Sequence, residues 1–254
     1  VLPVGRVQTP TLRLVVDRDR SIADFVPVPF WAIDVTLDGN GTPFTAQWRA
    51  PQDDCDEQGR CLKHAVAQRA AEAMQGAEHA VLKKLKTERM REAPPLLFDL
   101  GTLQQVCSKK LGLGAQETLD IAQKLYETDK LITYPRSDCG YLPLSQHAEA
   151  PAILAALGHA DPALREVLAH TQAGRRSRAW NDAKVSAHHG IIPTLAAAGL
   201  ARLSGRPRAV YELIRARYLA QFLPNHEYDR TQADFDCAGH DLRAVGKQLS
   251  LIHI

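Results

Sequence analysis

A tyrosine and an arginine two residues apart form the strongest chemical signal in the sequence. They lie in the run Leu131-Ile132-Thr133-Tyr134-Pro135-Arg136-Ser137-Asp138. The apolar residues predict a short strand that Pro135 ends, so Tyr134 is expected at a strand exit. Residues two apart on an extended chain point to the same side. A guanidinium there favours the phenolate, whose pKa is otherwise about 10, and binds phosphate oxygens. The pair suits attack on a phosphodiester; the alternative is a tyrosine packed at a sheet edge.

His188 is a second candidate, because histidine titrates near neutral pH and can contact a phosphate or assist proton transfer. It lies in the run Ala187-His188-His189-Gly190-Ile191-Ile192-Pro193-Thr194. Adjacent histidines point in different directions on a strand or helix, so His188 and His189 are not expected to bind one metal ion. The alternative is a solvated histidine beside an apolar strand.

A third candidate run lies near the amino terminus: Val4, Gly5, Arg6, Val7 and Gln8. Glycine permits close approach of the backbone, and Arg6 and Gln8 can bond phosphates and base edges. Thr9-Pro10 predicts the start of a helix, with threonine as N-cap and proline at the first position. A helix start presents free N–H groups to anions. A glycine and arginine before a helix are also commonplace.

Composition limits the possible functions. The 254 residues are 45% hydrophobic and 24% charged, enough for one large core or two or three modest ones. The net charge of +2 does not by itself indicate a nucleic-acid partner. Five scattered cysteines without a signal peptide predict reduced thiols and a cytoplasmic protein. Cys55 and Cys61 lack the spacing of a zinc site, so no metal site is predicted. No apolar run is long enough to span a membrane.

Strand patterns at both ends of the chain flank a helical middle. Alternating apolar residues predict a hairpin over 31–48 and a strand pair over 233–244. A further strand is predicted over 80–85. Helices are predicted over 64–74, 102–110 and 115–127 and from Pro207. This order indicates an α+β fold in which a helical block is inserted into a strand-rich domain.

The three candidate runs occur together in one known family, in the same order along the chain: the amino-terminal run first, then the tyrosine run, then the histidine run. The chain resembles the type IA DNA topoisomerases, most closely the bacterial topoisomerase III branch, over residues 1–248. The segments that carry the resemblance are Gly5 to Leu12, Glu92 to Pro95, Leu125 to Asp138 and Ala187 to Thr194. The sequence departs from the family pattern at Pro3, where serine is expected. It also departs at Gly140, where a basic residue is common, and at Gly190, where alanine is usual.

The resemblance implies a role for each candidate residue. Tyr134 would be the nucleophile that forms a phosphotyrosine bond to the 5′ end of a cut single strand. Arg136 would hold the scissile phosphate, and His188 would bind or polarise the DNA beside it. The single-strand groove would be lined by Val4, Gly5, Arg6, Val7 and Gln8. Passage of another strand through the cut would then relax or decatenate DNA without ATP.

The resemblance also implies a cofactor and partners. Mg²⁺ would be bound by an acidic TOPRIM domain, expected upstream of Val1, so the chain is interpreted as a fragment that is inactive alone. The expected partners are single-stranded DNA and negatively supercoiled or catenated DNA, with no membrane. The family resemblance further suggests a monomer that associates with the nucleoid.

Three regions are expected from the resemblance, and a fourth is expected at the carboxyl end of the sequence. Residues 1–24 would end the DNA-groove domain, 25–92 and 198–248 would form a strand-rich arch, and 93–197 would form the helical tyrosine domain within a toroid. Residues 249–254 read Leu-Ser-Leu-Ile-His-Ile, which equals the translation of a transposon-based sequencing adapter. They are interpreted as an adapter-derived tail; the alternative is a native strand.

Two other functions compete with a topoisomerase. A tyrosine recombinase also combines tyrosine, arginine and histidine, but its tyrosine follows the basic residues, whereas Tyr134 precedes His188. A non-catalytic single-stranded-DNA-binding module would use Tyr134 only to stack on a base. A covalent adduct with DNA that is lost on Tyr134→Phe separates the module from the enzyme.

Overall fold

A computed structural model of the protein describes residues 5–249 and divides into two compact units. The first unit contains residues 5–89 and 229–248, and the second contains residues 90–228. The chain leaves the first unit once and returns once, so the second unit is an insertion. The predicted α+β class is confirmed. Val4 and residues 250–254 of the predicted tail lie outside the described residues.

The first unit is built on a five-stranded sheet with the order β1-β2-β5-β4-β3. Antiparallel pairing of β1 and β2 confirms the predicted hairpin. Asn40 and Gly41 join these strands with φ angles of 54° and 84°, the left-handed conformation that asparagine and glycine tolerate in tight hairpins. The strands are β1 (Asp34–Gly39), β2 (Thr42–Trp48), β3 (Val81–Glu92), β4 (His226–Cys237) and β5 (His240–Leu249).

Two helices belong to the first unit, α1 (Gln8–Ala23) and α2 (His64–Gln75). One face of α2 is buried, and it contributes to a small core that comprises Ala46, Trp48, Cys61, Ala67, Ala70, Met74, Cys237 and Leu242. The predicted cap of α1 is wrong. The helix already begins at Gln8, with Val7 at the N-cap and no side-chain hydrogen bond there, so Thr9 lies inside the first turn.

Strands β3 and β4 are linked by a ladder of ion pairs. Lys83 pairs with Asp236 at 2.8 Å, and further along Arg89 pairs with Asp229 at 3.3 Å. Arg91 and Glu227 follow at 3.0 Å. The hydrogen bond from Lys83 holds the pKa of the Asp236 carboxyl below its usual range. These charges keep β3 solvated, which discourages pairing with another strand at this edge of the sheet.

The second unit contains five α-helices among the described residues. Helix α4 has the limits that the sequence predicts, and α3 extends beyond its predicted ends by one or two residues. Asp99 and Thr102 form a capping box at the start of α3, and Gly112 ends it with a left-handed φ of 66°. The helices are α3 (Leu100–Leu111), α4 (Ala115–Glu127), α5 (Ala150–Ala160), α6 (Arg165–Ala169) and α7 (Gly205–Leu219).

The position of α7 differs from the expected domain division. Residues 198–248 were expected to belong to the strand-rich region, but residues 198–228 lie in the helical unit. The physical reason is burial: Val210, Ile214 and Tyr218 of α7 are fully buried in the large core of that unit. Among these residues, only 229–248 return to the first unit.

Polar contacts also tie α7 into the second unit. The Arg215 guanidinium donates to the Asp161 carboxylate at 2.8 Å, and this bond holds the pKa of Asp161 below its usual range. Gln221, just beyond α7, donates to the Pro95 carbonyl at 2.8 Å. The guanidinium of Arg217 lies 3.9 Å from the centre of the Phe98 ring. No helix within residues 5–249 is long and apolar enough to cross a membrane.

Candidate active site

Two extended segments of the second unit pair beside Tyr134. The Thr133 N–H donates to the Ile192 carbonyl at 2.9 Å, and the Thr194 N–H donates to the Leu131 carbonyl at 3.0 Å. Ile132 and Pro193 form an isolated antiparallel bridge between them. The predicted strand before Tyr134 is therefore a short extended segment instead of a regular strand. Its pairing places the run 187–190 next to Tyr134.

A tight reversal at the end of α4 fixes the start of the first segment. The Leu131 N–H donates to the Leu125 carbonyl at 2.8 Å, and Lys130 adopts a left-handed φ of 57°. Leu125 and Leu131 are completely buried. This reversal folds the chain back along α4, and it explains why the residues after it contact that helix.

The ring of Tyr134 contacts two other rings. The Tyr126 ring of α4 meets it edge-on, with centroids 5.6 Å apart and an interplanar angle of 78°. The His188 imidazole makes the second contact with the Tyr134 ring, with centroids 4.7 Å apart and an interplanar angle of 33°. Tyr134 is half-buried, whereas His188 is exposed. The phenol is therefore positioned by its ring and remains partly open to solvent.

Arg136 is exposed and reaches the same helix as Tyr134. Its Nε donates to the Gln123 Oε1 at 3.4 Å, a long hydrogen bond that a stronger acceptor such as a phosphate could replace. Gln123 and Tyr126 are three residues apart on α4 and so lie on one face of it. The contacts of Arg136 and of Tyr134 thus meet the same face of α4.

Two further cations lie beside aromatic rings of the neighbouring segments. The Lys130 ammonium lies 5.8 Å from the centre of the Tyr126 ring, and the Lys184 ammonium lies 5.1 Å from that of Tyr141. Lys130 and Lys184 are exposed, as is Arg136. The carboxylate of Asp138 accepts a hydrogen bond from Ser186 at 3.3 Å. Lys130 is therefore linked to Tyr134 through the Tyr126 ring, and both lysines are exposed cations that could contact phosphates.

The two adjacent histidines have different contacts, as the sequence predicts. His188 contacts the Tyr134 ring, whereas the Nδ1 of His189 lies 2.8 Å from the Gly190 carbonyl oxygen. Across residues 5–249, no group of three or more histidine, cysteine, aspartate or glutamate side chains is placed to hold a metal ion.

Gly140 and Gly190, where the sequence departs from the family pattern, are neighbours in space. A Cβ added at Gly190 would lie 2.8 Å from the Cβ of Leu97 and 3.4 Å from the carbonyl carbon of Gly140. A Cβ added at Gly140 would lie 2.9 Å from the Leu97 carbonyl oxygen. Both positions therefore lack space for a side chain in this protein, and the two departures belong to one packing arrangement.

The amino-terminal candidate run lies in the first unit. Gly5 is half-buried, while Arg6, Val7 and Gln8 are exposed at the start of α1. The structure thus brings Tyr134, Arg136 and His188 into one site, and it describes Gly5 to Gln8 as part of the other unit. Neither Tyr126 nor Lys184 is predicted from the sequence as a site residue, although Tyr126 lies in the segment Leu125 to Asp138.

The arrangement in the second unit provides the parts of a phosphodiester-cleaving site. Tyr134 offers an oxygen nucleophile, Arg136 a phosphate-binding cation and His188 a group that can donate or accept a proton. A family model described as DNA topoisomerase matches residues 1–251.

The chain belongs to the DNA topoisomerase family.

Curated members of the DNA topoisomerase family are similar over almost the whole chain. The DNA topoisomerase 3 of Vibrio cholerae is 39% identical over 257 residues, which cover 98% of this chain and 39% of that protein. That of Salmonella typhimurium is 41% identical over 247 residues, which cover 94% of this chain and 37% of that protein. The chain thus spans well under half the length of these relatives. The predicted resemblance to topoisomerase III is confirmed.

A solved topoisomerase structure has a similar fold. The full-length topoisomerase I from Thermotoga maritima matches with a TM-score of 0.68 and 25% sequence identity. The match covers 99% of this chain and 39% of that one. The α+β fold is therefore shared with a topoisomerase whose full-length structure is known.

Proposed function

We propose that this chain is the tyrosine-bearing part of an ATP-independent type IA DNA topoisomerase. The complete enzyme cleaves and rejoins one DNA strand through a 5′-phosphotyrosine intermediate, with Tyr134 as the nucleophile. One observation carries the proposal: in a chain of the DNA topoisomerase family, the Tyr134 ring contacts both Tyr126 and His188, and Arg136 bonds to Gln123 on the face of α4 that carries Tyr126. The alternative of a non-catalytic single-strand-binding module does not require an arginine next to a positioned phenol.

The proposed step exchanges one phosphate ester for another. The Tyr134 oxygen attacks the phosphorus, its proton leaves, the bond from phosphorus to the 3′ oxygen breaks, and that oxygen takes up a proton. Arg136 donates to the non-bridging oxygens as charge develops on them. His188, in contact with the nucleophile, contacts the phosphate or moves a proton. Because the bond energy is kept in the phosphotyrosine, religation by the 3′ hydroxyl needs no ATP.

The substrate follows from this chemistry. Base pairing fixes the backbone of a strand in the duplex geometry, whereas an unpaired strand can bend to follow a site on a protein surface. Single-stranded stretches of negatively supercoiled or catenated DNA are the proposed partners, and Gly5 to Gln8 at the start of α1 are proposed to contact the same strand. The resemblance implies Mg²⁺ held by a TOPRIM domain. The side chains of residues 5–249 form no suitable cluster for it, so the step is derived without the ion.

Covalent trapping tests the nucleophile. The host is Vibrio cholerae DNA topoisomerase 3 in which this chain replaces the matching part. With a single-stranded oligonucleotide labelled at its 3′ end, we expect denaturant to release protein that carries the label. Tyr134→Phe should abolish the adduct, whereas Tyr228→Phe, a tyrosine of β4, should retain it. An undiminished adduct in Tyr134→Phe, or attachment through the 3′ phosphate, would overturn the proposal.

The 254-residue chain alone is proposed not to relax DNA. Incubation with negatively supercoiled plasmid and magnesium should leave the linking number unchanged on an agarose gel. The chimera under the same conditions should change it in steps of one. Magnesium-dependent relaxation by the isolated chain would show that the chain carries a complete active site.

A further inference from the structure

We propose that Tyr141 and Lys184 form a nucleotide-binding subsite next to the Tyr134 site. The Tyr141 ring would stack on a base of single-stranded DNA, and the Lys184 ammonium would bind a phosphate of the same strand. The proposal deepens the proposed function, because it assigns further residues to the path of the cleaved strand. It rests on two side chains that are distinct from the proposed catalytic residues Tyr134, Arg136 and His188.

The geometry of the pair suits a nucleotide. The Lys184 Nζ lies 3.3 Å from the Tyr141 hydroxyl oxygen but 5.1 Å from the ring centroid. The ammonium is therefore displaced towards the hydroxyl end of the ring. Tyr141 is half-buried and Lys184 is exposed. Aromatic rings stack on bases of any identity, and a nearby lysine adds attraction to the phosphate backbone.

The subsite is connected to the Tyr134 site through the segments that carry both. The Gly190 N–H donates to the Tyr141 carbonyl at 2.8 Å, which fixes the backbone of Tyr141 two residues from His188. The Cys139 Sγ contacts the Lys184 carbonyl oxygen at 3.4 Å. The Ser186 Oγ donates to Asp138 at 3.3 Å. The residues after Tyr134 are thus hydrogen-bonded to the residues on either side of His188. The Tyr134–His188 pair and the Tyr141–Lys184 pair are therefore carried by the same two connected segments.

The local backbone keeps the pair in place. The Leu142 N–H donates to the Ala179 carbonyl at 2.8 Å, and the Asn181 N–H donates to the Leu142 carbonyl at 2.9 Å. A short 3-10 helix, Asp182–Lys184, follows directly and presents the lysine. The Asp182 carboxylate accepts a hydrogen bond from the Leu144 N–H at 2.7 Å, which closes this loop. Ordering of the two side chains before DNA binds lowers the entropic cost of binding.

Fluorescence anisotropy of a labelled oligothymidylate tests the subsite with the 254-residue chain. Tyr141→Leu should weaken binding about fivefold or more, because stacking is lost, whereas Tyr141→Phe keeps the ring and should bind within about twofold of wild type. Lys184→Gln should lower the slope of log affinity against log salt by about 0.7. Lys109→Gln removes the same charge from the last turn of α3 and should leave the slope unchanged.

A second measurement separates binding from a structural role. An oligonucleotide that contains 5-iodouracil is irradiated with the chain, and the cross-linked residue is mapped by mass spectrometry, with Tyr141 expected. Wild-type affinity and salt slope for both Tyr141→Leu and Lys184→Gln would overturn the subsite, as would failure of the wild-type chain to bind the oligonucleotide. If the chimera still forms the Tyr134 adduct in that case, the subsite is wrong while the proposed cleavage function stands.

Discussion

The orientation of the Tyr134 side chain depends on residues that are distant from it in sequence. Its hydroxyl chemistry is encoded by one residue type, but its position is set by Tyr126 on α4 and by His188, 54 positions later in the chain. Edge-to-face aromatic pairs contribute about 0.5–1.5 kcal/mol beyond the area they bury. Tyr126 does not supply the nucleophile in the proposed step, so we describe it as a positioning residue.

Replacement of Tyr126 tests that role. In the chimera, Tyr126→Leu should lower the rate of adduct formation about tenfold, because the Tyr134 ring loses its edge contact and samples other orientations. Tyr126→Phe retains the ring and should react at close to the wild-type rate. Rates are measured by quenched-flow labelling at saturating oligonucleotide, so that weaker binding does not contribute. Equal rates for Tyr126→Leu and wild type would show that this contact does not position the nucleophile.

At the scale of elements, the site depends on the two tightly packed extended segments around residues 131–134 and 190–194. Thr133 accepts a hydrogen bond from the Ile192 N–H at 3.0 Å and donates one to the Gly190 carbonyl at 3.4 Å. The close approach of Gly190 to Leu97 and Gly140 holds the second segment against the residues that precede α3. A change at Gly190 therefore acts on both stability and site geometry.

Gly190→Ala should lower the free energy of unfolding by about 1–3 kcal/mol, because its Cβ would lie 2.8 Å from the Leu97 Cβ. Urea denaturation followed by circular dichroism measures this change. Gly174→Ala is the matched control: it is exposed, its added Cβ meets nothing within 4 Å, and its stability should be unchanged or slightly raised. Equal stability of Gly190→Ala and wild type would mean that Leu97 moves aside at little cost.

Most helices and strands were predictable from the sequence, whereas the packing of these elements against one another was not. The amphipathic spacing of α4 and the alternating pattern of the 31–48 hairpin are local signals, and both elements form where they were predicted. The membership of α7 depends on contacts with residues that are distant in sequence, so the division at residue 198 could not be derived from local pattern. The same limit applies to the Tyr141–Lys184 pair, whose members are 43 residues apart.

At the scale of the whole molecule, two buried tyrosines link folding to pH. Tyr211 and Tyr218 are fully buried on α7, and neither hydroxyl has a hydrogen-bond partner among the described residues. Burial raises the pKa of Tyr211 to about 12 and raises that of Tyr218 as well. An exposed tyrosine in the unfolded chain has a pKa of about 10. The folded state therefore holds these protons more tightly than the unfolded state.

The sign of the pH effect follows from that difference. The contribution of the buried, protonated tyrosines to the free energy of unfolding is fully present below about pH 10. It is lost as the pH rises towards 12, and for Tyr211 the loss is about 3 kcal/mol. Absorbance at 295 nm should show that two of the six tyrosines ionise only when circular dichroism reports unfolding. Tyr218→Phe should reduce this delayed group to one. Ionisation of all six near pH 10 in the folded protein would contradict the burial of both rings.

The ion-pair ladder between β3 and β4 has a consequence for protein engineering. Residues 90–228 form one uninterrupted stretch of the gene, and Arg91 and Glu227, close to its two ends, lie 3.0 Å apart on neighbouring strands. A linker of a few residues could join these ends. The helical unit is therefore suited to excision as a separate coding sequence, or to circular permutation with new termini placed in an exposed loop such as the one around Gly174.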